Sequence, residues 1–88
     1  MEFARKHFAN AEYYFRLMAD VSPDEPWPVL LLAEARTAMG NKKQAIKDIR
    51  EAVRRGLKNA DYLEQDPNLR ALSSEAEFQR IIAELRTK

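Results

Sequence analysis

Apolar residues recur at Ala4, Phe8, Ala11, Phe15 and Met18. Intervals of four and three place them on one face of a helix, so the pattern predicts a helix from about Ala4 to Asp20. Tyr14, Leu17 and Val21 form a second apolar line beside the first, more apolar surface than one neighbouring helix usually covers. The run Ser22-Pro23-Asp24-Glu25-Pro26-Trp27-Pro28 ends this helix, because a proline in a helix interior lacks an amide donor and clashes with the preceding turn. Proline is accepted in a first turn. A second helix is therefore expected from Pro26 or Trp27 to Met39, with Val29, Leu32, Ala33 and Arg36 on one face and Trp27, Leu30 and Leu31 around it.

Gly40-Asn41 suits a helix end followed by the N-cap of the next. The third helix is expected over Lys42 to Arg55, burying Ala45, Ile46, Ile49, Ala52 and Val53. Lys43, Lys47, Asp48, Arg50, Glu51 and Arg54 are expected outside. Gly56 stands where a left-handed residue closes a helix. Asn59 can cap a short helix through Gln65, and Asp66-Pro67 ends it and opens a helical turn through Leu72. Ser74 and Glu77 have the spacing of a capping box before a last helix from Glu75 to Arg86, which buries Phe78, Ile81, Ile82 and Leu85. No strand-type alternation is found, and the fold class is all-α.

A chain of 88 residues suits one domain. Lys plus Arg number 15 against 14 Asp plus Glu, so no strong field exists to collect nucleic acid or an anionic membrane. The absence of cysteine excludes disulfides, thiolate metal sites and a thiol nucleophile. No apolar run approaches the roughly 20 residues that cross a bilayer. The start, Met-Glu-Phe-Ala-Arg-Lys-His, has no secretion-signal pattern, and a cytoplasmic setting is expected.

Little here suggests catalysis. His7 is the single histidine, flanked by Arg5 and Lys6, whereas a metal site needs several converging ligands. Ser22, Ser73 and Ser74 fall at expected helix starts, where serine has a structural role. Two isolated glycines form no phosphate loop. Asp24-Glu25 and Glu75/Glu77 lie at helix N-termini, where acidic groups favour the dipole. Neither enzyme nor cofactor is expected. The basic run Lys42, Lys43, Lys47, Arg50, Arg54, Arg55 and Lys58 is interleaved with Asp48 and Glu51. It reads as a solvated face with helical ion pairs ahead of a nucleic-acid surface.

Sliding the chain by 34 residues sets Ala11 on Ala45, Phe15 on Ile49, and Met18 on Ala52. The fullest unit is Trp27 to Leu57, with Leu32-Ala33 in its first helix, Gly40 at the turn, and Ala45, Ile49 and Ala52 in its second. Here the sequence resembles the tetratricopeptide-repeat (TPR) family, a 34-residue helix–turn–helix repeat. The resemblance implies antiparallel hairpins stacked as a short right-handed solenoid, an α–α superhelix. Residues 1–23 would be the second helix of a preceding repeat, 24–57 a complete repeat, and 58–88 a degenerate helical cap. Arg36 stands where the family has an aromatic, and Leu57 where it has a closing proline. A plain antiparallel helical bundle is the alternative.

In TPR proteins the first helices of successive repeats line a groove that takes peptides. The resemblance puts Trp27, Leu30, Leu31, Glu34, Thr37 and Ala38 near it and implies a scaffold that binds a protein or peptide partner. The family's carboxylate clamp is not matched, since Trp, Leu, Leu and Glu occupy its positions, so an apolar or mixed ligand fits better. The alternative for Trp27 and Leu30 is packing on the first helix. A second candidate surface is the first helix itself, where Phe8, Tyr14, Phe15, Leu17 and Met18 would lack a covering helix. Self-association as a homodimer is the alternative function.

Overall fold

Local signals in the sequence set where each helix starts and stops. The structure, a computed structural model, describes the backbone of residues 2–87 and the side chains of residues 10–87. The helices are α1 (Glu2–Val21), α2 (Trp27–Ala38), α3 (Lys42–Arg54), α4 (Ala60–Gln65) and α5 (Ala76–Arg86), with a 3-10 turn over Pro67–Leu72 between the last two. The described residues contain no strand. None of the helices is long and apolar enough to cross a membrane.

α2 and α3 end in the same way. Gly40 at φ +83° and Gly56 at φ +118° turn the chain left-handed. The Asn41 amide then reaches back to the Arg36 carbonyl at 2.8 Å, and the Gly40 amide to Thr37 at 3.0 Å. Leu57 to Ala52 and Gly56 to Val53, both 3.0 Å, repeat the closure one helix on. This paired reach-back satisfies carbonyls that a helix end otherwise leaves bare. Asn59 accepts from the Tyr62 amide at 3.1 Å to start α4, and Asp66 accepts from the Asn68 amide at 2.9 Å to start the 3-10 turn.

Two expected caps do not form. Asn41 occupies the N-cap of α3, but its side chain accepts no bond. The Ser74–Glu77 box is also absent, because α5 begins one residue later, with Glu75 at its N-cap. That shift places Phe78 where the box needs a glutamate. Glu77 turns outward to Arg50 at 3.0 Å and Arg80 at 2.7 Å.

α2 is the central element, packed against α1, α3 and the 3-10 turn, while α5 closes over α4 and α3. The main core joins Leu30 and Ala33 of α2, Ala45, Ile46 and Ile49 of α3, and Leu63, Leu69, Leu72, Phe78, Ile81 and Ile82 of the C-terminal half. Ala33, Ala45 and Ala52 are fully buried; side chains that small let helix axes approach closely. A smaller cluster of Ala19, Val29 and Ala52 fixes the end of α1. Asp48, expected on the solvent side of α3, is instead buried, because Arg36 of α2 faces it across the helix pair.

Candidate functional site

Helical spacing divides α2 into faces with different fates. Leu30, Ala33 and Thr37 share one line, and all three are buried. Leu30 belongs to the main core, and the Thr37 hydroxyl donates to the Ala33 carbonyl at 2.7 Å. Neither side chain is therefore available to a partner, contrary to the expectation that both line the groove. Leu31, Glu34 and Ala38 lie on the adjacent line. With Ala35, with Ala11 and Phe15 of α1, and with Asn68 of the 3-10 turn, they line a groove of about 220 Å³. Trp27, one turn before Leu31, is 44% exposed. Of the five expected groove residues, Trp27 is thus exposed and Leu31 and Glu34 are half-buried.

The far end of this groove is polar. The Asn68 side-chain amide donates to Glu34 Oε1 at 2.8 Å, and its backbone amide donates to Asp66 Oδ1 at 2.9 Å. The second oxygen of each carboxylate, Glu34 Oε2 and Asp66 Oδ2, is buried without a protein partner. Burial raises the Glu34 carboxyl above its ordinary range; the Asn68 bond opposes this and the neighbouring Asp66 adds to it. Burial also raises the Tyr62 hydroxyl, helped by both carboxylates. Asp66 and Asn68 escaped the sequence reading because a cap and a turn residue carry no sign of the helix they face.

α1 presents a second surface. Tyr13, Tyr14, Leu17 and Val21 are between 48% and 74% exposed. Phe15 and Met18 are half-buried beside them, and the Tyr14 and Phe15 rings meet edge to face at 5.6 Å. The side chains of His7 and Phe8 lie outside the described residues. Tyr13 was not anticipated, although Tyr13, Leu17 and Val21 are spaced by four, which marks a helical line.

On the opposite side of α2, Arg36 binds three helices together. Its Nη1 donates to both Asp48 oxygens at 2.8 Å, and its Nε donates to Glu12 at 2.9 Å. Burial disfavours the Arg36 charge, but the bonds from Glu12 and Asp48 outweigh it and hold the guanidinium more basic than usual. Burial raises the Asp48 carboxyl, against the pull of Arg36 and Gln44. The basic run is partly consumed by similar pairs: Arg50 meets Glu77 and Glu84, and Arg54 and Arg55 both meet Glu51.

A larger concavity of about 410 Å³ lies between Val53, Gly56, Leu57, Lys58 and Leu85. Among its described lining residues Lys58 is the one ionisable group, and converging polar groups of the kind that fix a ligand are not seen among them. Among the described residues, no three His, Cys, Asp or Glu side chains come together as a metal ion would require. Comparison of the chain with protein-family models, with curated proteins and with solved structures finds no match in any of the three.

Proposed function

We propose that this chain is a protein–protein interaction module, without catalysis or cofactor, that takes an extended apolar or mixed segment of a partner along the α1–α2 groove. The observation that carries this reading is the row of exposed Trp27 and half-buried Leu31 on a helix held from both sides, with Leu31 lining the groove beside Phe15 of α1. Preformed apolar surface on a rigid element binds with little loss of conformational freedom, and exposed aromatic anchors dominate such contacts. The resemblance of Trp27–Leu57 to a TPR unit points the same way, as does the α2–α3 hairpin closed at Gly40.

The test is selection of peptides from a displayed random library on the immobilised chain, followed by titration of the winners. Enriched peptides are expected to lose at least tenfold in affinity to Trp27→Ala, and similarly to Leu31→Glu, while helicity by circular dichroism stays unchanged. Failure to enrich any peptide, binding indifferent to both substitutions, or unfolding of Trp27→Ala would sink the groove reading.

Self-association is the second reading, and the uncovered line Tyr13, Leu17 and Val21 on α1 favours it. A two-fold contact would let one chain cover its own apolar stripe. Light scattering behind a sizing column, over a concentration series, decides it. A dimer that Leu17→Glu converts to monomer supports self-association, and a monomer at every concentration removes it.

A further inference from the structure

We propose that Glu34 and Asp66 share a single proton, and that this proton latches the 3-10 turn to α2 and sets the shape of the groove's polar end.

The geometry leaves few other solutions. Asn68 grips one oxygen of each carboxylate, Glu34 Oε1 through its side chain and Asp66 Oδ1 through its backbone. One residue therefore bridges the two carboxylates, at 2.8 Å to Glu34 and 2.9 Å to Asp66, and brings them close together. The remaining oxygens, Glu34 Oε2 and Asp66 Oδ2, are both buried and both unpartnered. Asp66 itself is only 8% exposed. Two acceptors cannot satisfy each other, and two close carboxylates resist ionising together. One proton supplies the missing donor and removes one of the two charges.

Among the described residues, the surroundings offer no substitute. α1 contributes Ala11 and Phe15 to this region, and α4 contributes Tyr62, whose hydroxyl feels both carboxylates. From α2 the charged group facing the pair is Glu34 itself; Arg36 is turned to Glu12 and Asp48 on the other side. No Lys or Arg among the described residues is ion-paired with Glu34 or Asp66. The latch joins α2 to the N-cap of the 3-10 turn, and Asn68 also lines the groove. Loss of the proton leaves two buried like charges, which push the turn and Asn68 away from α2. The inference holds whether or not the groove has a partner.

Its sign with pH follows. The Glu34 carboxyl is raised in the folded chain from its ordinary value of 4.5. The stability it contributes is present below the ordinary glutamate range and is lost as pH rises through the folded value.

The experiment is urea unfolding from pH 4 to pH 9 for the wild type, Glu34→Gln and Asp66→Asn, joined to a carbon-13 titration of the side-chain carboxyls. Each variant replaces the shared proton with a permanent amide N–H of nearly the same shape. Both are expected to flatten the alkaline fall in stability. At pH 8 the wild-type unfolding constant is expected roughly tenfold above either variant's, the size of one unsatisfied buried polar group. The Glu34 carboxyl carbon is expected to titrate above the ordinary range, with the Asn68 side-chain amide moving at the same midpoint. If one variant fails to fold, the other and the wild-type titration still decide. Wild-type stability that parallels a folded variant, or a Glu34 titration in the ordinary range with no response at Asn68, overturns the proposal.

Discussion

A guanidinium occupies the place on α2 where an aromatic ring would complete an apolar face. Arg36 shares its line with Val29, Leu32 and Ala33, yet its side chain is 13% exposed and paired with Asp48 at 8%. Burying two charges costs nearly what their attraction returns, so such a pair adds little net stability but is expensive to break. Asp48→Ala, which leaves Arg36 short of a partner, is expected to cost about 3 kcal/mol by urea unfolding. Arg36→Met combined with Asp48→Leu is expected to restore most of that loss, with Glu12 left at the surface to be solvated. A single variant within about 0.5 kcal/mol of wild type, the range of ordinary surface changes, would mean that the pair is ornamental. The sequence already placed Arg36 on one face of α2 with Val29, Leu32 and Ala33. It did not reveal Asp48, because an aspartate among Lys, Arg and Glu reads as one more solvated charge until the opposite helix is known.

At the scale of elements, boundaries depend on short-range chemistry and were therefore legible. α2, α3, α4 and the 3-10 turn begin and end within a residue of where Pro28, Gly40, Gly56, Asn59 and Asp66-Pro67 put them. Of the two caps that fail, the Ser74–Glu77 box has a visible competitor. Glu77 has two arginines within reach and takes them instead of the α5 amides. Accordingly, Asn59→Ala, which removes a real cap, is expected to cost about 1 kcal/mol. Ser74→Ala is expected to change stability by less than about 0.5 kcal/mol, and thermal unfolding of the two variants side by side checks both. Gly56→Ala forces a side chain into the left-handed region with nothing nearby to clash, so its cost is that of the backbone alone, about 1–2 kcal/mol. Arg55 links elements in another way. Its Nη1 donates to the carbonyls of Ala19, Ser22 and Glu25 at 3.1 to 3.4 Å, pinning the proline-rich turn to the end of α3. That clamp was not legible, because its acceptors are backbone atoms.

For the whole molecule, the hydrophobic pattern reported the all-helical class and most of the core, and said less about which apolar lines stay uncovered. In α1 the line carrying Ala11, Phe15 and Met18 is the half-buried one, and Tyr14, Leu17 and Val21 stand in solvent. Periodicity alone gave both lines equal standing, and only the position of α2 separates them. Groove residues were half legible for a related reason. Trp27, Leu30, Leu31, Glu34 and Thr37 all sit on one helix, and a rotation of one residue decides between core and surface. Phe78 and Leu69 are almost fully buried in the C-terminal half. Leu69→Ala is expected to cost about 3 kcal/mol in urea unfolding, as other buried leucines do. A cost under about 1 kcal/mol would mean that the cap is not part of the cooperative unit.

The separation of the two apolar clusters has a consequence for how the molecule opens. No described side chain of α1 belongs to the main core; its described contacts with the rest include Ala19 against Val29 and Ala52, Ala11 and Phe15 along the groove, the Glu12–Arg36 pair and the Arg55 clamp. Detaching α1 therefore leaves the core of α2 through α5 intact, and partial opening of this kind requires less free energy than global unfolding. In native-state hydrogen exchange, α1 amides are expected to exchange through a lower-energy opening with a smaller denaturant dependence than global unfolding, while amides in α2 and α3 wait for the whole chain to unfold. Equal protection across α1, α2 and α3 would show instead a single cooperative unit, with α1 held as firmly as the main core.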